Sequence, residues 1–246
     1  MFRRMGPIVA ALVLTAACGG AASPAPQASP SAKAVATAAP APATVTVLAS
    51  GRIDSIPDGT LYVDYMDLPQ VAGGSLTHQH IGGFVYAVQG THEMDVAGIT
   101  TPTMIEPGKA AFIGGTVMHS HVNPSATGND WWFIGLRASS TRSRPAVLPG
   151  QKIMYASGDV TQITPGAYAE TFTDSRLTAN GIDRQTGASL RVLYVLDGTV
   201  TVSGDAAAAG TVSAGQGAYS LLGANLVLTA GPAGAHYLMF ILTPAS

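Results

Sequence analysis

The sequence predicts an all-β fold: two tandem barrels of jelly-roll type, set behind an export segment and a disordered Ala/Pro-rich tether. Three observations predict it. The composition is rich in glycine and poor in charge, no segment past the first residues carries a helical period, and most of the chain is written twice at a spacing of about 107 residues.

With 29 glycines among 246 residues and only 11% charged residues, the chain suits short strands joined by tight turns, where glycine adopts positive φ without steric cost. The net charge of −2 provides no basic footprint, which argues against a nucleic-acid partner.

Residues 1–18 read as an export segment. Arg3 and Arg4 form a short positive region, Met5 to Ala17 is apolar but short for a bilayer span, and Leu14-Thr15-Ala16-Ala17-Cys18-Gly19 resembles a lipoprotein cleavage box. Cys18 is the single cysteine, placed where lipidation requires one, so the expected address is extracytoplasmic, with the membrane reached through lipidated Cys18; a plain secretory peptide and a secreted protein are the alternative. Residues 19–44 are Ala, Pro and Ser with little to bury, and are expected to form a tether.

The body is expected to divide into a first barrel over 45–145 and a second over 150–246. Leu48-Ala49-Ser50-Gly51 matches Tyr155-Ala156-Ser157-Gly158, Tyr86 to Thr91 matches Tyr194 to Thr199, Ile105 to Gly108 matches Val212 to Gly215, and Phe112 falls on Tyr219. Within each copy, strand-like runs (Phe84 to Val88, Leu190 to Leu196) end at turn signals, Gln89-Gly90 and Asp197-Gly198. Trp131 to Leu136 and Tyr237 to Leu242 close the copies.

Five of the six histidines fall in the first copy: His78, His80, His92, His119 and His121. On a strand, a spacing of two puts both rings of a pair on one face, so His78 with His80 and His119 with His121 form two facing pairs able to enclose an ion. Neutral imidazole ligates divalent Fe, Mn, Zn, Ni or Cu, and the spacing does not choose among them.

These residues resemble the cupin superfamily. Its first motif is matched by Gly73, His78-Gln79-His80 and Gly90, and its second by Gly108, Gly114-Gly115-Thr116, His119 and Asn123, with Gly114 in place of a proline and Thr116 in place of a glycine. With the repeat, the resemblance implies a double cupin barrel whose metal ligands are His78, His80 and His119, with His121 as a fourth ligand or hydrogen-bonding group. The family's glutamate would fall near Gly83 or Phe84, neither of which can ligate. Three neutral ligands would leave the ion its full charge and open positions for a small, anionic ligand, water or dioxygen. Three-histidine centres occur in the family among thiol- and diketone-cleaving dioxygenases.

The second copy serves as a control, because the positions of His78, His80 and His119 fall on Thr186, Ala188 and Leu226, none of them a ligand. His92 beside Glu93 is expected to be a solvated turn pair, His236 structural, and Asn123 a turn support. At least one of Trp131, Trp132 and Phe133 is expected in the core. Arg137, Arg184 and Arg191 are candidates to orient an anion, and the spacing selects none of them. The resemblance favours a metal-dependent enzyme acting on a small organic molecule, an oxygenase ahead of an isomerase or lyase. A non-catalytic, surface-anchored protein that captures a metal or small ligand is the alternative, and a purely structural double barrel is the third reading.

Overall fold

The computed structural model describes residues 43–207 and 209–245. The export segment, Cys18 and the tether up to residue 42 lie outside the described residues, among which no helix is long and apolar enough to cross a membrane.

The first half contains β1 (Thr44–Ile56), β2 (Leu61–Gln70), β3 (Ser75–His78), β4 (Gly82–Gln89), β5 (His92–Val96), β6 (Thr103–Ile105), β7 (Ala110–Ile113), β8 (His119–Val122) and β9 (Asn129–Ala138). A 3-10 turn at Ser139–Thr141 leads into the second half: β10 (Lys152–Ala156), β11 (Gly166–Leu177), β12 (Ile182–Gln185), β13 (Leu190–Gly204), β14 (Gly210–Ser213), β15 (Gly217–Ser220) and β16 (Leu226–Pro244). Every strand pair is antiparallel.

Two sheets face each other in the first barrel, ordered β10-β2-β9-β4-β7 and β3-β8-β5-β6. Alternation along the strands sends Met66, Leu68, Val85, Trp131 and Phe133 from the larger sheet against Met94 and Ile105 from the smaller one. The second barrel is one sheet, β1-β11-β16-β13-β14, with β12 added to β16 and β15 to β13. Long β13 and β16 run through both of its walls, around a core that includes Leu193, Val195, Leu228 and Tyr237.

The copies exchange their first strands. β1 pairs with β11 of the second copy, and β10 pairs with β2 of the first. The outer faces of the two large sheets then pack together through Phe84, Ile134, Leu136, Phe172, Val192, Phe240 and Leu242. Phe84 stacks on Phe172 at 5.4 Å between ring centroids. Tyr65 bonds across this core: its hydroxyl donates to the Val192 carbonyl at 2.8 Å and accepts from the Phe240 N–H at 3.1 Å. Each large side chain buried here contributes roughly 1.5–3 kcal/mol.

The repeat persists in three dimensions. Gly108 and Gly215 hold matching turns at φ 77° and 81°, a region open to glycine. Gly51 faces the Phe112 ring and Gly158 faces the Tyr219 ring, so closely that a Cβ at either glycine would run into its partner. The alignment needs one correction. β3 pairs with β8 so that His78 opposes His119, and β12 pairs with β16 so that Gln185 opposes Leu226. The counterpart of His78 is therefore Gln185 and not Thr186, while His119 falls on Leu226 as expected.

Candidate metal centre

β8 alternates, so His119 and His121 both turn into the first barrel, where they are 2% and 0% exposed. His78 ends β3, and His80 sits in the turn leading to β4. The strand that was expected to carry both residues thus stops at the first, yet their ring centroids are 5.5 Å apart. A backbone bond from the Thr116 N–H to the His80 carbonyl, 2.8 Å long, holds this turn. Thr116 has φ 58°, a strained conformation for a β-branched residue where the family motif has glycine.

His78, His80 and His119 bring one nitrogen each to within 4.8 Å of one another. His119 Nδ1 lies 2.8 Å from the Val117 carbonyl, a contact that requires the N–H on Nδ1 and leaves Nε2 bare. That Nε2 and both nitrogens of His80 are buried without a hydrogen-bond partner among the described residues. Unpartnered buried imidazole nitrogens are costly unless a ligand takes them, and a divalent transition metal fits this donor set. Burial lowers the basicity of all three. His78 falls to about 4, with His119 and the Arg137 guanidinium adding to the effect; His80 falls well below its ordinary value for the same reasons. His119 is lowered less, because its bond to Val117 opposes the shift. The rings are therefore neutral at pH 7, the form that ligates.

His121 stands beside this group, with its ring centroid 4.9 Å from those of His78 and of His119, and outside the mutually close set. Its Nδ1 is 3.0 Å from His92 Nε2, its ring stacks on Trp131 at 4.2 Å, and its Nε2 is buried without a partner among the described residues. His92 corrects an expectation. It is fully buried against His121 and Trp131 and is no solvated turn residue, because β5 turns His92 and Met94 inward and Glu93 away. His236 is structural as expected, with Nε2 2.9 Å from Asp174 Oδ1. Asn123 ties its turn to the Gln70, Val71 and Thr127 carbonyls.

The resemblance puts the family's glutamate near Gly83 or Phe84, and Gly83 has a φ of 150°, which few side chains adopt. The register aligns Gly83 with Gly135 and Gly135 with Asp64. Phe133 covers both glycines and packs on His80 at 4.4 Å, so an aromatic ring occupies the space of the missing acid. On the second copy's equivalent strand that position is Arg191, paired with Ser220 and Ile241 as Gly83 is with Ile113 and Gly135. Its guanidinium donates to the Thr186, Ser189 and Ala224 carbonyls. A fixed cation thus gathers the loops of a barrel that lacks the histidines, and Arg191 is committed there.

A cavity of about 360 Å³ opens beside His78 and His80, walled by Leu76, Phe133, Tyr62, Asp64, Arg137 and Arg142 among others. Of the three candidate arginines Arg137 alone lines it, because Arg184 points to solvent. Asp64 was not legible as a site residue. Its only sequence signal is an acid alternating with Tyr62 and Met66 on an apolar strand, where an inward position would be apolar. A more open hollow lined by Gln70, Gln89, Asn129 and Asp130 contains none of the histidines.

No family model matches this sequence, and no curated protein matches it. Solved structures do. AerE from Microcystis aeruginosa aligns with TM-score 0.50 at 13% identity, over 80% of this chain and 97% of that one. A cupin 2 conserved barrel domain protein from Leptotrichia buccalis aligns at 0.43 and 16%, over 82% and 91%. A salicylate 1,2-dioxygenase from Pseudaminobacter salicylatoxidans aligns at 0.45 and 13%, over 74% and 70%. At such identities the likeness is one of fold, and the fold is the cupin-type double barrel.

Proposed function

We propose that this cupin-type double barrel is an exported, metal-dependent enzyme acting on a small organic molecule, an oxygenase ahead of an isomerase or lyase. The observation that carries the reading is the set of three neutral histidines within 4.8 Å of one another on the wall of a cavity sized for a small molecule. His78, His80 and His119 would hold the metal, with His121 beside them as a fourth ligand or hydrogen-bonding group. Such an ion supplies Lewis acidity and, if iron or copper, redox chemistry with dioxygen. The chain's own groups do the rest. Phe133 and Leu76 exclude water, and Arg137 and Asp64 supply charge and a proton-carrying group at the cavity wall. The export segment and Cys18 read from the sequence support an extracytoplasmic address on a membrane anchor.

Elemental analysis of the purified protein tests the metal. About one transition-metal ion per chain is expected, falling to none in a His78→Ala, His80→Ala double variant, and adding that metal to the stripped parent at about 100 times Kd should stabilise it by about 2.7 kcal/mol. No metal in either protein would overturn the reading. Metal without oxygen uptake or turnover across a panel of small organic acids would favour the alternative, a surface-anchored binding protein.

A further inference from the structure

Arg137 is an uncommitted cation. It projects from β9 into the cavity, its guanidinium makes no hydrogen bond among the described residues, and its nearest acid is Asp64, whose Oδ2 lies 3.8 Å from Nη1. Arg142 on the same wall is already engaged. It donates from Nε and Nη2 to Asp159 Oδ1, and from Nη2 to the Ser157 carbonyl, and lies 3.9 Å above the Tyr62 ring. Asp64 is fully buried, and neither of its oxygens has a hydrogen-bond partner among the described residues. A planar guanidinium with free donors matches a carboxylate in two-point geometry.

We propose that the cavity takes a small organic carboxylate on Arg137, and that Asp64 takes up a proton as the ligand binds. The proposal deepens the reading above and rests on it for what the ligand meets at the histidines, though not for its binding. Two carboxylates sharing one cation in a buried site cannot both stay ionised, so the anion that engages Arg137 drives the other to protonate. The balance is one carboxylate bound and up to one proton taken from solvent onto Asp64. Arg137 faces Asp64 from β9 and Arg142 from the turn after it; Tyr62 lies on its own strand, neutral His78 and His80 line the same cavity, and Arg144 also lines the wall. Burial already pushes Asp64 up to about 7 against the pull of both arginines, so the empty site is poised to accept the proton at neutral pH.

Calorimetric titration of the metal-stripped protein with benzoate and with benzamide, at pH 7 in two buffers of different protonation enthalpy, tests this. Benzoate should bind at least about tenfold tighter than benzamide, with uptake of about half a proton per benzoate by Asp64, a group near pKa 7. Asp64→Asn should still bind benzoate but without uptake, and Arg137→Gln should lose the preference over benzamide. Equal binding of the two probes, no binding of benzoate, no uptake in the parent, or uptake persisting in Asp64→Asn would overturn the proposal. If Asp64→Asn does not fold, the parent and Arg137→Gln decide alone. The metal content of the same preparations before stripping judges the metal reading separately.

Discussion

Replacing Glu170 with glutamine isolates a carboxyl that the fold buries between the two barrels. Glu170 lies on β11 between Tyr168 and Phe172, facing the shared core near Ile53 and Gly82, fully buried. Neither of its oxygens has a hydrogen-bond partner among the described residues. Burial alone pushes it from 4.5 up to about 8. The folded state therefore holds this proton more tightly than the unfolded chain does. The stability is fully present below pH 4.5 and is lost as pH rises through about 8. Each pH unit in that window costs about 1.4 kcal/mol, so the parent at pH 7 gives up about 3 kcal/mol that Glu170→Gln, with no charge to form, retains. Urea unfolding of both metal-stripped proteins at pH 5, 6, 7 and 8, followed by tryptophan fluorescence, measures the difference. The variant's advantage should grow by about 2–3 kcal/mol from pH 5 to pH 7. A difference that stays flat with pH would refute the reasoning, because it would mean that the carboxyl is solvated or paired in the folded protein.

Two further outcomes test the loops. Thr116→Gly relieves a left-handed β-branched residue worth about 1–2 kcal/mol and concedes about 0.5–1 in unfolded-chain entropy, so the variant should melt a few degrees higher by calorimetry. Arg191→Met leaves the Thr186, Ser189 and Ala224 carbonyls without their donor, and should destabilise the second barrel by about 2–3 kcal/mol in denaturant unfolding while leaving metal content unchanged.

The double-barrel fold and the three-histidine cluster were legible because both depend on local signals. Gly108 and Gly215 mark turns that few other residues can make, and the period-2 alternation of β8 alone sends His119 and His121 inward. Where local rules ran out, the expectation failed or was silent. His92 read as a solvated turn residue beside Glu93, because Trp131 and His121, which bury it, are far along the chain. The match of His78 to Thr186 slipped by one residue because small gaps in a repeat leave no mark on composition, while strand pairing resolves them.

The sequence by itself determined that this protein is a repeated β-structure with the histidine cluster in one copy, since turn chemistry, alternation and repetition are written in neighbouring residues. Tertiary structure decided what surrounds the histidines. It alone brought Arg137 to Asp64 across adjacent strands, laid Phe133 over Gly83, put Arg191 at the same place in the other barrel, and swapped β1 and β10 between the copies. Those are pairings between strands, and burial and charge at a site are set by strand neighbours that chain order does not reveal.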